Sequence, residues 1–150
     1  MYTFIDQPVD RLCNGGRFLL WGMRGWAHAV EQGTCPPLAL SRGFASMHAL
    51  PALPDFHLAM AMLNRDGLER ISLAPINCQR IIEHEAILIG MWRDLANGDL
   101  DRMRETLELL VKAEAVSPIA RAMTTVTAKL IAAGFNITGL SGAIVKEVKR

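Results

Sequence analysis

Asp99-Leu100-Asp101-Arg102-Met103-Arg104-Glu105-Thr106-Leu107-Glu108-Leu109-Leu110-Val111-Lys112 is the stretch that decides the fold class. Leu100, Met103, Leu107, Leu110 and Val111 recur at spacings of three and four, the period of one helical face. Arg104, Glu108 and Lys112 stand four apart and alternate in sign, as on a solvated helix surface. Asp99 is a natural N-cap. Downstream, Ser117-Pro118 has the form of a cap and first turn. Ile119, Met123, Val126, Leu130 and Ala133 then carry an inward stripe to Gly134. Upstream, Asn77 offers a cap for a helix through Trp92 and Leu95 to Asn97-Gly98. Short loops between three such helices oblige neighbours to run antiparallel. Residues 77–134 are therefore expected to form an up-down-up antiparallel bundle.

The first half is helical by the same signals. Asp10 can cap a segment to about Glu31, with Gly15-Gly16 able to delay its start and Gly33 ending it. Gly22, Gly25 and Ala29 thin one side of this helix and predict close approach of a neighbour. Thr34-Cys35-Pro36-Pro37 starts a second helix, expected to reach Leu50 before Pro51. Pro54-Asp55 opens a third that closes near Asp66-Gly67, and residues 68–76 read as a loop. The sum is an all-α chain of about six helices in a single domain over 1–150. Residues 1–10 and 135–150 are expected to be irregular or docked on a partner.

Composition narrows the function classes. Apolar residues make up 51%, and with the 12 glycines about 59%, against roughly 45–50% in ordinary soluble domains. Such a surplus has three homes, a subunit interface, a lipophilic pocket or a thick helical core; the interface is the favoured reading, with a homodimer its simplest form. Sixteen basic and fifteen acidic residues nearly cancel, with no concentrated basic footprint, so nucleic acid is not an expected partner. No apolar run approaches the length of a transmembrane helix, and the N-terminus has no secretory pattern, so the cytoplasm is the expected location. Cys13, Cys35 and Cys78 are odd in number and widely spaced, which is no disulfide framework.

Cys78-Gln79-Arg80-Ile81-Ile82-Glu83-His84-Glu85 is the densest cluster of reactive side chains. On a helix starting at Asn77, Cys78 and His84 point about 120° apart, and Cys78 and Glu85 lie about 10 Å apart. No metal site and no cofactor is expected. Glu85 shares its face with Ile81, Ile82, Leu88, Ile89 and Trp92. A carboxylate there is either paired, with Arg17, Arg24 or Arg42 as candidates, or functional with a raised pKa. Cys78, Glu85, Trp92 and Trp26 are the candidate lining of an apolar ligand pocket. His28, His48, His57 and His84 come from four different segments, and no nucleophile elbow or phosphate loop is present.

Arg17-Phe18-Leu19-Leu20-Trp21-Gly22-Met23-Arg24 and Leu73-Ala74-Pro75-Ile76-Asn77-Cys78-Gln79-Arg80, followed by Glu85, resemble a family of short helical proteobacterial proteins of unassigned function. Members carry further cysteines where this chain has Ile76 and Asn77, which counts against a cysteine-bound metal here. Residues 92–134 also resemble phasins, amphipathic helical proteins that coat polyester granules. That likeness implies an exposed apolar stripe over 99–133. The leading expectation is a non-enzymatic binding or regulatory protein that works through protein–protein contacts. A small-molecule sensor using the Cys78–Glu85–Trp92 region and a phasin-like coat are its alternatives. A helical enzyme, with Glu85 or His84 as the acid–base group, completes the set.

Overall fold

The computed structural model describes residues 4–137, and its α-helices are α1 (Asn14–Glu31), α2 (Pro36–Ser46), α3 (Leu53–Asp66), α4 (Glu83–Ala96), α5 (Leu100–Leu110) and α6 (Ala113–Ala132). Short 3-10 turns over Val9–Arg11 and Leu50–Ala52 precede α1 and α3. The described residues contain two isolated β-bridges and no strand. The fold is all-α.

One contiguous apolar core runs through all six helices. Each of α4, α5 and α6 touches the other two, but α6 makes its broadest contact with α3. The C-terminal trio is thus half of a larger packing unit rather than a free-standing bundle. Its partner half is α1, which lies on α2, α3 and α4. The thinned side of α1 explains how closely. A Cβ at Gly25 would sit 2.8 Å from Leu40 Cδ2, and one at Gly22 would sit 3.0 Å from the Phe56 ring. Both gaps are filled by side chains of the neighbouring helices.

Several helix ends differ from the sequence-based expectation. α1 begins at Asn14 because Asp10 is used in the preceding 3-10 turn. α2 stops at Ser46, four residues short of Leu50, where Met47 and His48 turn the chain and His48 adopts a positive φ of 59°. α6 begins at Ala113, so Pro118 lies inside it rather than opening it. Here the chain leaving α5 is pinned to the end of α3: Leu68 N–H donates to Leu110 O, and Lys112 N–H to Asp66 O. Those bonds fix Lys112 as the N-cap, and Ala113-Glu114-Ala115 are good helix formers from there.

The largest difference is at α4, which starts at Glu83 instead of Asn77. Residues 68–82 form one long irregular strap. Apart from a turn closed by Cys78 N–H on Pro75 O, its backbone bonds run to the rest of the fold. Asp6 N–H donates to Ile81 O, Ile81 N–H to Gln7 O and Val9 N–H to Gln79 O. A helical turn over 77–82 would require those same groups for i to i+4 bonds. The N-terminal lead-in is thus tied to the chain's own strap, and Phe4 is buried. Phe135 and Ile137 are buried too, Phe135 stacking on Phe18 at 4.9 Å, so residues 135–137 dock on the chain itself. The rest of the expected irregular tail, and residues 1–3, lie outside the described residues.

Candidate functional site

The strap is held by one buried ion pair. Arg24 comes from the middle of α1 and Glu85 from the first turn of α4, at 3% and 0% exposure. Arg24 Nε donates to Glu85 Oε2 at 2.7 Å and Nη2 to Oε1 at 2.8 Å, the two parallel bonds of a bidentate pair. Arg17 and Arg42, the other candidate partners, are both exposed. Glu85 Oε2 also accepts from Ala74 N–H at 2.8 Å, and Oε1 from Ile82 N–H at 3.0 Å. The latter is a reciprocal N-terminal cap, with the carboxylate reaching back to the residue before the helix. The remaining guanidinium donors reach the Cys78 carbonyl at 2.7 Å and the Arg80 carbonyl at 2.9 Å. Hydrogen bonding to Glu85 raises the pKa of Arg24 above its already high range, against the opposing effect of burial.

This arrangement decides what Glu85 can do. Both carboxylate oxygens are occupied by donors and neither meets solvent. Glu85 is not available as an acid–base group, and its role is to anchor the strap. His84, the other acid–base candidate, accepts from Ser72 N–H through Nδ1 at 2.7 Å, and its Nε2 is 3.7 Å from Glu69 Oε1. It too fastens the strap to α4.

The candidate pocket residues do not share a recess. Glu85 and Trp92 are fully buried, and Trp92 stacks on Phe56 with its Nε1–H unpartnered. Cys78 is half-buried, with its thiol donating to Arg80 O at 3.4 Å. Trp26 donates from Nε1 to His57 Nδ1 at 3.0 Å. α4 does start late enough for Cys78 and His84 to escape the helical spacing argument. Even so, no three His, Cys, Asp or Glu side chains among the described residues are placed to hold a metal. The apolar stripe of α5 and α6 faces inward: Met103, Leu107, Ile119, Met123, Val126 and Leu130 are all fully buried. Leu100, Leu109 and Ile131 in the same stretch are exposed. Among the described residues no helix is long and apolar enough to cross a membrane.

The recess that does form is an open groove of about 890 Å³ between the C-terminal half of α1 and the strap over Arg70–Asn77. Trp26, His28 and Gln32 stand on the α1 side, with Arg24 at its edge. Only some of the strap's backbone groups beside it are used within the fold. Ser72 and Ala74 send their N–H groups to His84 and Glu85, whereas the backbone groups of Ile71 and Leu73 have no partner among the described residues. Sequence reasoning placed the loop here but missed this edge, because nothing in residues 68–76 reveals which amides the rest of the fold will claim.

A second recess lies between α4 and α5, with Asp94 in its wall. Burial pushes the Asp94 carboxyl above its ordinary value of 3.8, against the weaker pull of Arg93 and Arg102. The folded protein thus holds this proton more tightly than the unfolded chain does. The charged form opposes folding above the ordinary carboxyl range and costs nothing below it. Asp94→Asn is therefore expected to raise Tm at pH 7, with the advantage shrinking as the pH falls toward the ordinary carboxyl value of 3.8. Thermal melts of both proteins across that range check the sign. Beside Asp94, a Cβ on Gly90 would meet nothing within 4 Å. Gly90→Ala should stabilise α4 by about 0.5–1 kcal/mol, read as a higher denaturant midpoint at unchanged m-value.

No family model, curated protein or solved structure matches the chain.

Proposed function

We propose that this chain is a non-enzymatic binding or regulatory protein of the cytoplasm. It works through protein–protein contacts, most simply by pairing with a second copy of itself. The observation that carries the reading is the unsatisfied edge of the strap. A non-helical segment at a groove, with amides and carbonyls that lack partners, can pair with another extended chain. The Arg24–Glu85 anchor holds that edge rigid from behind, so little ordering has to accompany binding. The groove beside it is open and long, a shape that suits a polypeptide better than an enclosed small molecule. Ile76 and Val30, both large, apolar and substantially exposed, flank it. Two copies related by a two-fold axis would exchange the Ile71 and Leu73 backbone bonds reciprocally.

Sedimentation equilibrium combined with amide hydrogen exchange tests this directly. The expected result is a reversible dimer in which the Ile71 and Leu73 amides become protected as concentration rises. Ile71→Pro removes a donor that the single chain does not use, and should weaken the dimer while leaving the helices intact. A strict monomer whose Ile71 and Leu73 amides exchange freely at every concentration would sink self-association.

A further inference from the structure

We infer that the crevice between α4 and α5 is a binding site for a small zwitterion of the α-amino acid class. The crevice measures about 260 Å³, below the range of drug-sized pockets and suited to a ligand of few heavy atoms. Gly90 keeps it open, since any side chain there would project into the space. Asp94 stands one turn further along the same face of α4, with its side chain 10% exposed. No hydrogen bond reaches its carboxylate, and the nearest cation, Arg93 Nη2, is 3.7 Å away. With no protein donor within hydrogen-bond reach, this largely buried carboxylate has lone pairs left over from its loose pairing with Arg93, and an ammonium could take them with up to three N–H donors.

The rest of the lining fits the other end of such a molecule. Arg102 of α5 supplies a planar guanidinium matched to a carboxylate. With Arg93, Asp94 and Glu105 the wall carries two charges of each sign, which suits a ligand that is itself neutral overall. Ile87, half-buried, and Leu109, 71% exposed as it stands, provide an apolar margin for an aliphatic side chain. This site is separate from the strap edge, so each proposal can fail without the other.

The test is a ¹⁵N chemical-shift titration of the full chain with L-alanine, L-leucine and L-methionine. N-acetyl-L-leucine, which lacks the ammonium, and L-leucinamide, which lacks the carboxylate, serve as the paired controls. We expect saturable shifts confined to α4 and α5, with each control weaker than leucine by about 10-fold or more, the loss of one charge-assisted contact. Asp94→Asn and Gly90→Leu should abolish the response. Arg102→Gln, at an exposed position, should weaken it without disturbing the fold. No saturable response to any of the three amino acids would overturn the assignment. So would equal binding of leucine and both controls, or undiminished binding by a folded Asp94→Asn protein.

Discussion

Glu85→Gln is expected to destabilise the protein by about 3–5 kcal/mol, because it leaves the Arg24 guanidinium charged and uncompensated in the interior. Gln keeps the shape of Glu but cannot neutralise the arginine, and one of its side-chain positions becomes a donor facing other donors. The informative comparison is the double variant Arg24→Met/Glu85→Leu. Replacing both members of a buried ion pair by apolar groups is often neutral or stabilising. Here it should not be. The pair also satisfies the Ala74 and Ile82 amides and the Cys78 and Arg80 carbonyls. Each buried backbone group stripped of its partner costs about 1–3 kcal/mol. Urea melts should therefore find the double variant well below the parent in stability. Residues 70–82 should be the first to lose exchange protection. Recovery of parental stability in the double variant would show that the strap is held by something else.

The same pair shows how far the sequence could be read. Glu85 on an apolar face announced a partner, because a carboxylate in that position has few ways to exist. Arg17, Arg24 and Arg42 were equally open as that partner. The choice of Arg24 depends on where α1 crosses α4, which no local pattern contains. The cap at Asn77 failed for a related reason. Asn77 is as good a cap in isolation as Asp99, which does cap α5 by accepting from Arg102 N–H. What differs is that the carbonyls after Asn77 are taken by Arg24, a residue more than fifty positions earlier. Ser117-Pro118 was overridden in the same way, by bonds from the end of α3 to the α5–α6 junction. Periodicity gave the right number and kind of helices because burial of an apolar stripe acts along the whole element. Element ends are settled by single hydrogen bonds, and those are tertiary. No sequence pattern singles out Asp94, because its burial depends on how α5 packs on α4. Only the fold turns it toward the α5 side.

Phe56→Ala should be the costliest substitution in the apolar core, at about 3–5 kcal/mol. Phe56 is fully buried in α3 and lies 5.4 Å from the Phe44 ring of α2 and 6.3 Å from the Trp92 ring of α4. Its ring also fills the space left by Gly22 of α1. One side chain therefore joins four helices, and its removal leaves a void that none of them can close alone. The neighbours are aromatic and already locked against one another, Phe44 on Phe18 at 4.8 Å and Phe18 on Phe135 at 4.9 Å, so collapse into the void is opposed. The cost should accordingly fall near the upper end of the large-to-small range, where relaxation is least. Phe56→Leu keeps most of the volume and should lose much less. If the core is continuous across the two halves, both halves must unfold together in the Phe56→Ala protein. Far-UV circular dichroism and the fluorescence of Trp21, Trp26 and Trp92 should then give one coincident transition. Separate transitions would mean that α1–α3 and α4–α6 are held by independent cores, with Phe56 belonging to only one.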